Sequence, residues 1–302
     1  MIKQLTALFV LITSVSLTAS ASDMKLVILG TGNPNADPDR SGPALAVVAN
    51  GQPYLIDAGP GVVRRASAAG LEMPSLSMAF ITHLHSDHTV GLSDLIFTPW
   101  VLEREKPINL FGPPGLAAMA DHISKAYAVD VSMRLNGAEP ANETGYKHIT
   151  TEIAGGYVFT DQNIQVEAIQ IDHGSFDAAF GYKFTAGDKT IVISGDTGPS
   201  DTLEKAAMGA DILAHEVYSA ETFKTRPPVW QNYHSQFHTS THELAAIANR
   251  VKPKLLVLYH QLYWGATDED LIKEIRAAGY NGPVVSAADL DVFAVPSEPN
   301  AK

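Results

Sequence analysis

The sequence predicts an α/β domain in which helices pack in layers against β-sheets. Short apolar runs rich in Val and Ile end at Gly, Asp or Pro, as β-strands commonly do. Segments whose apolar residues recur at helical spacing fill the gaps between those runs. The 302 residues, 45% of them hydrophobic, are enough for one large domain or two small ones.

The individual elements follow from these patterns. The predicted strands are residues 25–29, 44–49, 54–57, 78–82, 108–111, 164–171, 180–185, 190–194, 211–214, 254–259 and 292–295. The predicted helices are residues 61–70, 91–104, 115–128, 199–208, 241–251 and 268–278. Residues 136–152 and 223–237 show neither pattern and are predicted to be loops, which are often functional when they are long.

The first 21 residues have the pattern of a signal peptide. Lys3 precedes an apolar run over residues 5–17, and Ala19-Ser20-Ala21 places small residues where signal peptidase cleaves. The run is short for a stable membrane anchor; an uncleaved anchor and a buried N-terminal helix are the alternatives. We expect residues 1–21 to be removed, and residues 22–302 to form a periplasmic or secreted protein that contacts no membrane.

The composition limits both the partners and the metal chemistry. The net charge is −12, and an acidic surface repels polyanions, so we expect no broad nucleic-acid-binding surface. The chain contains no cysteine. It therefore forms no disulfide, and any metal must be held by nitrogen and oxygen ligands.

The segment Thr82-His83-Leu84-His85-Ser86-Asp87-His88 directly follows a predicted strand. Three imidazoles and a carboxylate so close together are costly to bury without a partner, but they suit a metal site at a strand end. Alternation along the backbone sends His83 and His85 to one side, while Asp87 and His88 turn back as a second cluster. This pattern is far more specific than scattered histidines.

These four side chains cannot complete two zinc sites, so further ligands must come from elsewhere in the chain. His173, Asp196 and His260 each follow a predicted strand, and strand ends deliver side chains into a shared cleft in layered α/β folds. Any one of them alone would more commonly be a surface residue. Together with the first segment they become candidate ligands.

The chain resembles the metallo-β-lactamase superfamily, and within it the RNase Z-like branch, which includes secreted zinc-dependent arylsulfatases and a class of cyclic-nucleotide phosphodiesterases. The likeness covers nearly all of residues 22–302. Its motifs are the HxHxDH of residues 83–88, Asp172-His173-Gly174, Ser194-Gly195-Asp196-Thr197, Tyr259-His260, Leu29-Gly30-Thr31-Gly32-Asn33-Pro34, His215-Glu216 and His238-Thr239-Ser240.

The resemblance implies a single-domain, four-layer αββα sandwich with two metal ions along one edge. One ion would be held by His83, His85 and His173. The other would be held by Asp87, His88 and His260, and Asp196 would bridge both. The ligand types favour two Zn²⁺, with manganese or iron as alternatives.

The resemblance also implies a hydrolase that cleaves a phosphodiester or a sulfate ester with metal-activated hydroxide. Asp87 would orient the hydroxide. His238 would assist the leaving group, and Glu216 would fix the tautomer of His238 and hold it charged. Tyr233, Tyr263 and Trp264 flank these motifs, either as an apolar wall for an aromatic or nucleobase group or as ordinary core.

Two other functions stay open. The first is hydrolysis of a β-lactam, lactone or thioester, although cysteine-free β-lactamases as a rule lack the bridging aspartate. The second is a non-catalytic zinc-binding protein, against which the complete ligand set argues.

The expected partner is a small-molecule ester, with a homodimer as a further option. Transfer-RNA maturation is not expected, because residues 174–195 leave no room for a basic arm. Export would also separate the protein from precursor RNA.

Overall fold

The structure is a computed structural model that describes residues 23–296. The predicted signal peptide, residues 1–21, lies outside the described residues. Within the described part of the chain, no helix is both long and apolar enough to cross a membrane.

Over residues 23–296 the strands form two mixed sheets of seven strands each. In spatial order, the first sheet contains β14 (Val292–Ala294), β1 (Met24–Gly30), β2 (Ala44–Ala49), β3 (Gln52–Ile56), β4 (Met78–Phe80), β5 (Ile108–Gly112) and β6 (His148–Glu152). The second contains β13 (Val284–Ser286), β12 (Leu255–Leu262), β11 (Ile212–Tyr218), β10 (Lys189–Ile193), β9 (Phe180–Ala186), β8 (Gln165–Gln170) and β7 (Val158–Thr160). Strands β3 to β6 run parallel, and so do strands β10 to β13.

The helices connect these strands. Those of the N-terminal half are α1 (Val62–Ala68), α2 (Ser86–Thr89), α3 (Leu92–Val101), α4 (Leu116–Ala126) and α5 (Ala128–Asn136), with a short 3₁₀ helix at Met73–Ser75. Those of the C-terminal half are α6 (Asp201–Ala207), α7 (Ala220–Phe223), α8 (Pro228–Phe237), α9 (Thr241–Val251) and α10 (Asp268–Ala277). Ser240 caps α9 in a reciprocal pair with Glu243.

Both faces of each sheet are buried, which produces the four layers. In β1, Leu26 and Ile28 face the core between the two sheets, while Val27 and Leu29 face the core beneath the N-terminal helices. A third core lies between the second sheet and α6, α9 and α10. Strands buried on both faces are apolar throughout, so they were easy to predict. The αββα sandwich is confirmed.

The structure contradicts the prediction in the elements that are half exposed. Strands β6, β7 and β13 were not predicted, because all three are sheet edges without an apolar run, and β7 and β13 have only three residues each. Most of α5 and all of α8 lie outside the predicted helices. The predicted loops 136–152 and 223–237 are wrong where they contain β6 and α8. The pair Pro227-Pro228 at the start of α8 is typical of a segment that is not helical. Proline in the first turn of a helix nevertheless costs no backbone hydrogen bond.

The carboxyl ends of the parallel strands from the two sheets meet at one edge of the sandwich. The backbone N–H of Phe180, at the start of β9, donates to the carbonyl of Thr82 in the segment after β4, across a distance of 2.9 Å. Segments that leave β4, β8, β10 and β12 therefore converge on one place. This convergence positions the candidate site.

Candidate metal centre

The histidine-rich segment leaves β4 at the edge between the sheets. His83 and His88 are fully buried and His85 is half-buried, so this segment lines an interior and not an open surface. The short helix α2 begins after His85 and carries Asp87 and His88. The turn of this helix separates the second pair of side chains from the first, as predicted.

A first cluster joins three imidazoles. His85 Nδ1 lies 2.9 Å from His83 Nε2 and 3.1 Å from His173 Nε2. His173 Nδ1 lies 2.9 Å from the carbonyl of Phe237, to which it donates, so its Nε2 carries a lone pair. Burial lowers the pKa of His173 to about 3 and that of His83 well below its usual value. The cluster is therefore a set of neutral imidazoles whose lone pairs converge.

A second cluster joins carboxylates to imidazoles. Asp196 Oδ2 lies 3.3 Å from both His88 Nε2 and His260 Nε2. Asp87 Oδ2 lies 3.5 Å from His88 Nε2 and 3.4 Å from His260 Nε2. These four side chains surround one point, and Asp196 stands between this cluster and the first.

The donor set fits a pair of divalent cations. Ligand atoms about 2.0–2.1 Å from a tetrahedral zinc are separated from one another by about 3.3 Å, close to the spacings found here. His88 Nε2 and Asp196 Oδ1 are buried without a hydrogen-bond partner among the described residues. Such atoms are costly to bury unless a ligand satisfies them. The clusters His83–His85–His173 and Asp87–His88–His260 therefore have the chemistry and spacing of metal sites.

The backbone is bent where two of these side chains enter the site. The sequence predicts that His260 follows the end of a strand. Instead, His260 lies inside β12 as the extra residue of a bulge. Its φ is +49°, and pairing with β11 resumes at Gln261. Gly195 has a φ of +64°, and a Cβ there would lie 2.7 Å from the Phe180 carbonyl oxygen, so only glycine fits before Asp196.

Asp57 was missed by the sequence analysis, although it orients a ligand in each cluster. Its Oδ2 lies 2.7 Å from His88 Nδ1, and it accepts from the Thr82 backbone N–H at 2.8 Å. Thr82 Oγ1 donates to Asp57 and lies 3.0 Å from His83 Nδ1. Asp57 is fully buried with a φ of +60°. The available indication was a carboxylate as the last residue of the predicted strand 54–57.

His238 and Glu216 lie beside the second cluster. His238 Nδ1 is 3.3 Å from Glu216 Oε2 and 4.0 Å from Asp196 Oδ2. Glu216 Oε1 accepts from the Thr239 backbone N–H at 2.7 Å. Burial raises the pKa of Glu216 well above its usual value and lowers that of His238 to about 4. Burial thus opposes the charge that the sequence analysis expects on His238.

A cavity of about 360 Å³ opens over the second cluster. Its lining includes Asp87, Asp196, His238 and His260, together with Pro34, Asn35, His85, Ser86, Arg226, Trp230, Tyr233, His234, Leu262 and Trp264. Tyr233 and Trp264 thus form part of the wall. Tyr263 does not line the cavity, and its hydroxyl donates to Asp268 at 2.6 Å.

Comparisons with known proteins show what this chain is similar to. A family model described as a beta-lactamase superfamily domain matches residues 53–261. The chain is 32% identical over 272 residues to a ribonuclease Z of Mycobacterium bovis, covering 88% of this chain and 96% of that protein. A ribonuclease Z of Mycobacterium tuberculosis is 31% identical over the same shares of the two chains.

Solved structures show the same fold. The human short-form tRNase Z superposes with a TM-score of 0.70 at 23% identity, covering 91% of this chain and 100% of that chain. Zinc-bound PqqB from Methylobacterium extorquens superposes with a TM-score of 0.62 at 16% identity, covering 89% and 99%.

The expected partners need a correction. The prediction of a small-molecule ester substrate and no nucleic-acid surface is wrong, because the relatives named ribonuclease Z act on RNA. A net charge of −12 describes the whole chain and not the surface around the site. Arg226 lines the cavity, and bound divalent cations would add further positive charge there.

The role of Asp57 can be tested by replacing it with Asn. In Asp57→Asn one acceptor oxygen becomes an amide donor, so the bonds to His88 and Thr82 cannot both survive. We expect metal affinity to fall by about 10- to 100-fold, measured by competition with a chromogenic chelator.

Asp188→Asn, at an exposed turn position, is the matched control and should leave the affinity unchanged. An Asp57→Asn protein that binds metal as tightly as the control would show that Asp57 does not orient the ligands.

Proposed function

From the premise that this chain belongs to the beta-lactamase superfamily and to its ribonuclease Z-like branch, we propose that it is an exported hydrolase that cleaves phosphodiester bonds with two bound zinc ions. The observation that carries this proposal is the pair of ligand clusters that share Asp196. A shared carboxylate places two cations close together, as in enzymes that displace a leaving group from phosphorus.

The residues around this centre have different proposed roles in metal binding and hydrolysis. When bound, the zinc pair supplies Lewis acidity that lowers the pKa of a water molecule and stabilises charge on phosphoryl oxygens. His83, His85 and His173 would hold one ion, Asp87, His88 and His260 the other, and Asp196 would bridge them. Asp87 also lines the cavity, where it can accept a hydrogen bond from the attacking water.

We infer that His238 assists the leaving group. Its Nδ1 faces Glu216, which fixes the ring, and the side chain lines the cavity beside Asp196. Since burial favours a proton on Glu216 and a neutral His238 ring, the Nε2–H proton can pass to the oxygen that departs from phosphorus while the Glu216 proton passes to Nδ1. General-acid assistance of this kind is worth about 10²- to 10⁴-fold.

The shape of the cleft favours a diester over a monoester. A second depression of about 540 Å³, lined by Arg40, Gly42 and Pro60 among others, meets the first cavity at Pro34 and Asn35. The centre therefore lies between two recesses, one for each group attached to phosphorus. The named relatives support RNA as a substrate. Residues 174–195 form a short loop and the β9–β10 hairpin, so the cavity walls must hold the substrate.

Export is supported by the N-terminal segment alone. Lys3, the apolar run over residues 5–17 and Ala19-Ser20-Ala21 together fit a cleaved signal peptide. We expect the mature chain to begin at Ser22, which Edman sequencing of protein from the cell envelope and medium would establish. An intact Met1 in protein from the cytoplasm would contradict export.

The substrate class and the metal content can be tested together. We expect elemental analysis to find two zinc ions per chain, and we expect bis-p-nitrophenyl phosphate and a short RNA to be hydrolysed. Chelation should abolish both activities, and zinc should restore them fully only at two equivalents. Hydrolysis of p-nitrophenyl sulfate in preference to every phosphodiester would instead establish a sulfatase.

The role of His238 can be tested through the leaving group. A nucleoside needs a proton when it departs and p-nitrophenolate does not. His238→Ala should therefore lower kcat by about 10²-fold or more on a dinucleotide, and much less on bis-p-nitrophenyl phosphate. Glu216→Gln should show the same selectivity, more weakly.

His242→Ala, at an exposed position of α9, is the control and should change neither rate. Equal losses on both substrates with full zinc content would show that His238 does not protonate the leaving group.

A further inference from the structure

One wall of the cavity carries features that metal binding and hydrolysis leave unexplained. This wall contains the bend before helix α8, the helix itself and the turn after β12, and it presents Arg226, Trp230, His234 and Trp264 to the cavity. The ring of His234 lies 5.8 Å from Trp230 at an interplanar angle of 26° and 4.6 Å from Trp264. The wall is thus a continuous aromatic surface with one guanidinium group beside it.

Arg226 is a cation without a counter-charge. The guanidinium lies 5.4 Å from the centre of the Trp264 ring, and its Nε is buried with no hydrogen-bond acceptor among residues 23–296. No carboxylate of the described chain forms an ion pair with it. Arg40, by contrast, donates to Thr31 and pairs with Asp268 at 3.1 Å. Because Arg226 lines the cavity and pairs with no carboxylate of the described chain, its guanidinium is suited to receive an anion from a ligand.

Trp230 is not part of the hydrophobic core. Nearly half of its surface, 47%, is exposed at the mouth of the cavity. Indole rings stack on nucleobases whatever the base, because every base has a π face. The exposed indole therefore offers a stacking surface at the entrance to the site.

The position of the wall assigns it to one side of the substrate. His234 lies 5.5 Å from His238, the residue proposed to assist the leaving group. A group bound on this wall thus belongs to the leaving-group side of the phosphodiester.

We propose that Arg226 and Trp230 form a nucleotide subsite on the leaving-group side of the scissile phosphate. The base of that nucleotide stacks on Trp230, and its second, non-scissile phosphate pairs with the guanidinium of Arg226. This inference rests on the proposed phosphodiesterase function and names its substrate more closely: a polynucleotide and not a simple alkyl or aryl diester.

Two affinity ratios measured on the zinc-loaded protein by titration calorimetry test the two contacts separately. Adenosine 5′-monophosphate against ribose 5-phosphate reports the base, and adenosine 3′,5′-bisphosphate against adenosine 5′-monophosphate reports the second phosphate. We expect each ratio to be on the order of 10-fold in the wild type. Trp230→Ala should abolish the first ratio only, and Arg226→Gln the second only.

Val229→Ala is the matched control, since Val229 is 71% exposed, adjoins Trp230 and does not line the cavity. It should preserve both ratios, and all three variants should keep their zinc and their melting temperature. A wild-type protein that hydrolyses diesters but shows neither ratio would overturn the subsite and leave the function intact. A protein that hydrolyses no diester, yet shows both ratios and loses them in the variants, would overturn the function and leave a nucleotide site.

Ratios that persist in Trp230→Ala and Arg226→Gln would also overturn the subsite, because the discrimination would then come from other residues.

Discussion

The site depends on one electrostatic constraint: several lone pairs are buried and aimed at the same two points. Imidazole nitrogens of His83, His85 and His173 meet at 2.9–3.1 Å, and the carboxylate of Asp196 lies between His88 and His260. Without cations these groups would repel one another or remain unsatisfied, at a cost that folding could not easily offset. The left-handed backbone at Asp57, Gly195 and His260 aims these atoms, and it is strained at the two residues that are not glycine.

The orientation of the ligands is as important as their identity. Asp57 reaches His88 directly and His83 through Thr82, so a single carboxylate sets the tautomer of an imidazole in each cluster. His173 is oriented by the Phe237 carbonyl instead. Asp57, directly after β3, and Phe237, at the end of α8, both lie on different segments from the ligands that they orient. The geometry of the centre is therefore a property of the whole edge of the sandwich.

Much of the fold and the site could be predicted from the sequence, for identifiable reasons. Strands that are buried on both faces appear in the sequence as apolar runs. The spacing of histidines and aspartate in residues 83–88 is specific for a metal site. Exposed edge strands such as β6 carry no such pattern. A bulge depends on pairing with a neighbouring strand, so the position of His260 within β12 could not be read from β12 alone. The net charge gave a wrong prediction about nucleic-acid binding, because it describes the whole surface and not the surface around the site.

The two ends of helix α8 have different roles: one orients a metal ligand, and the other lines the mouth of the cavity. Its final residue, Phe237, provides the carbonyl that orients His173, and His238 follows immediately, whereas Trp230 is half-exposed in its first turn. The C-terminal end of α8 is thus held at the metal centre by its hydrogen bond to His173. Substrate preference in this protein could consequently diverge by replacement of the outer residues of one helix, while the inner end stays constrained by the chemistry it supports.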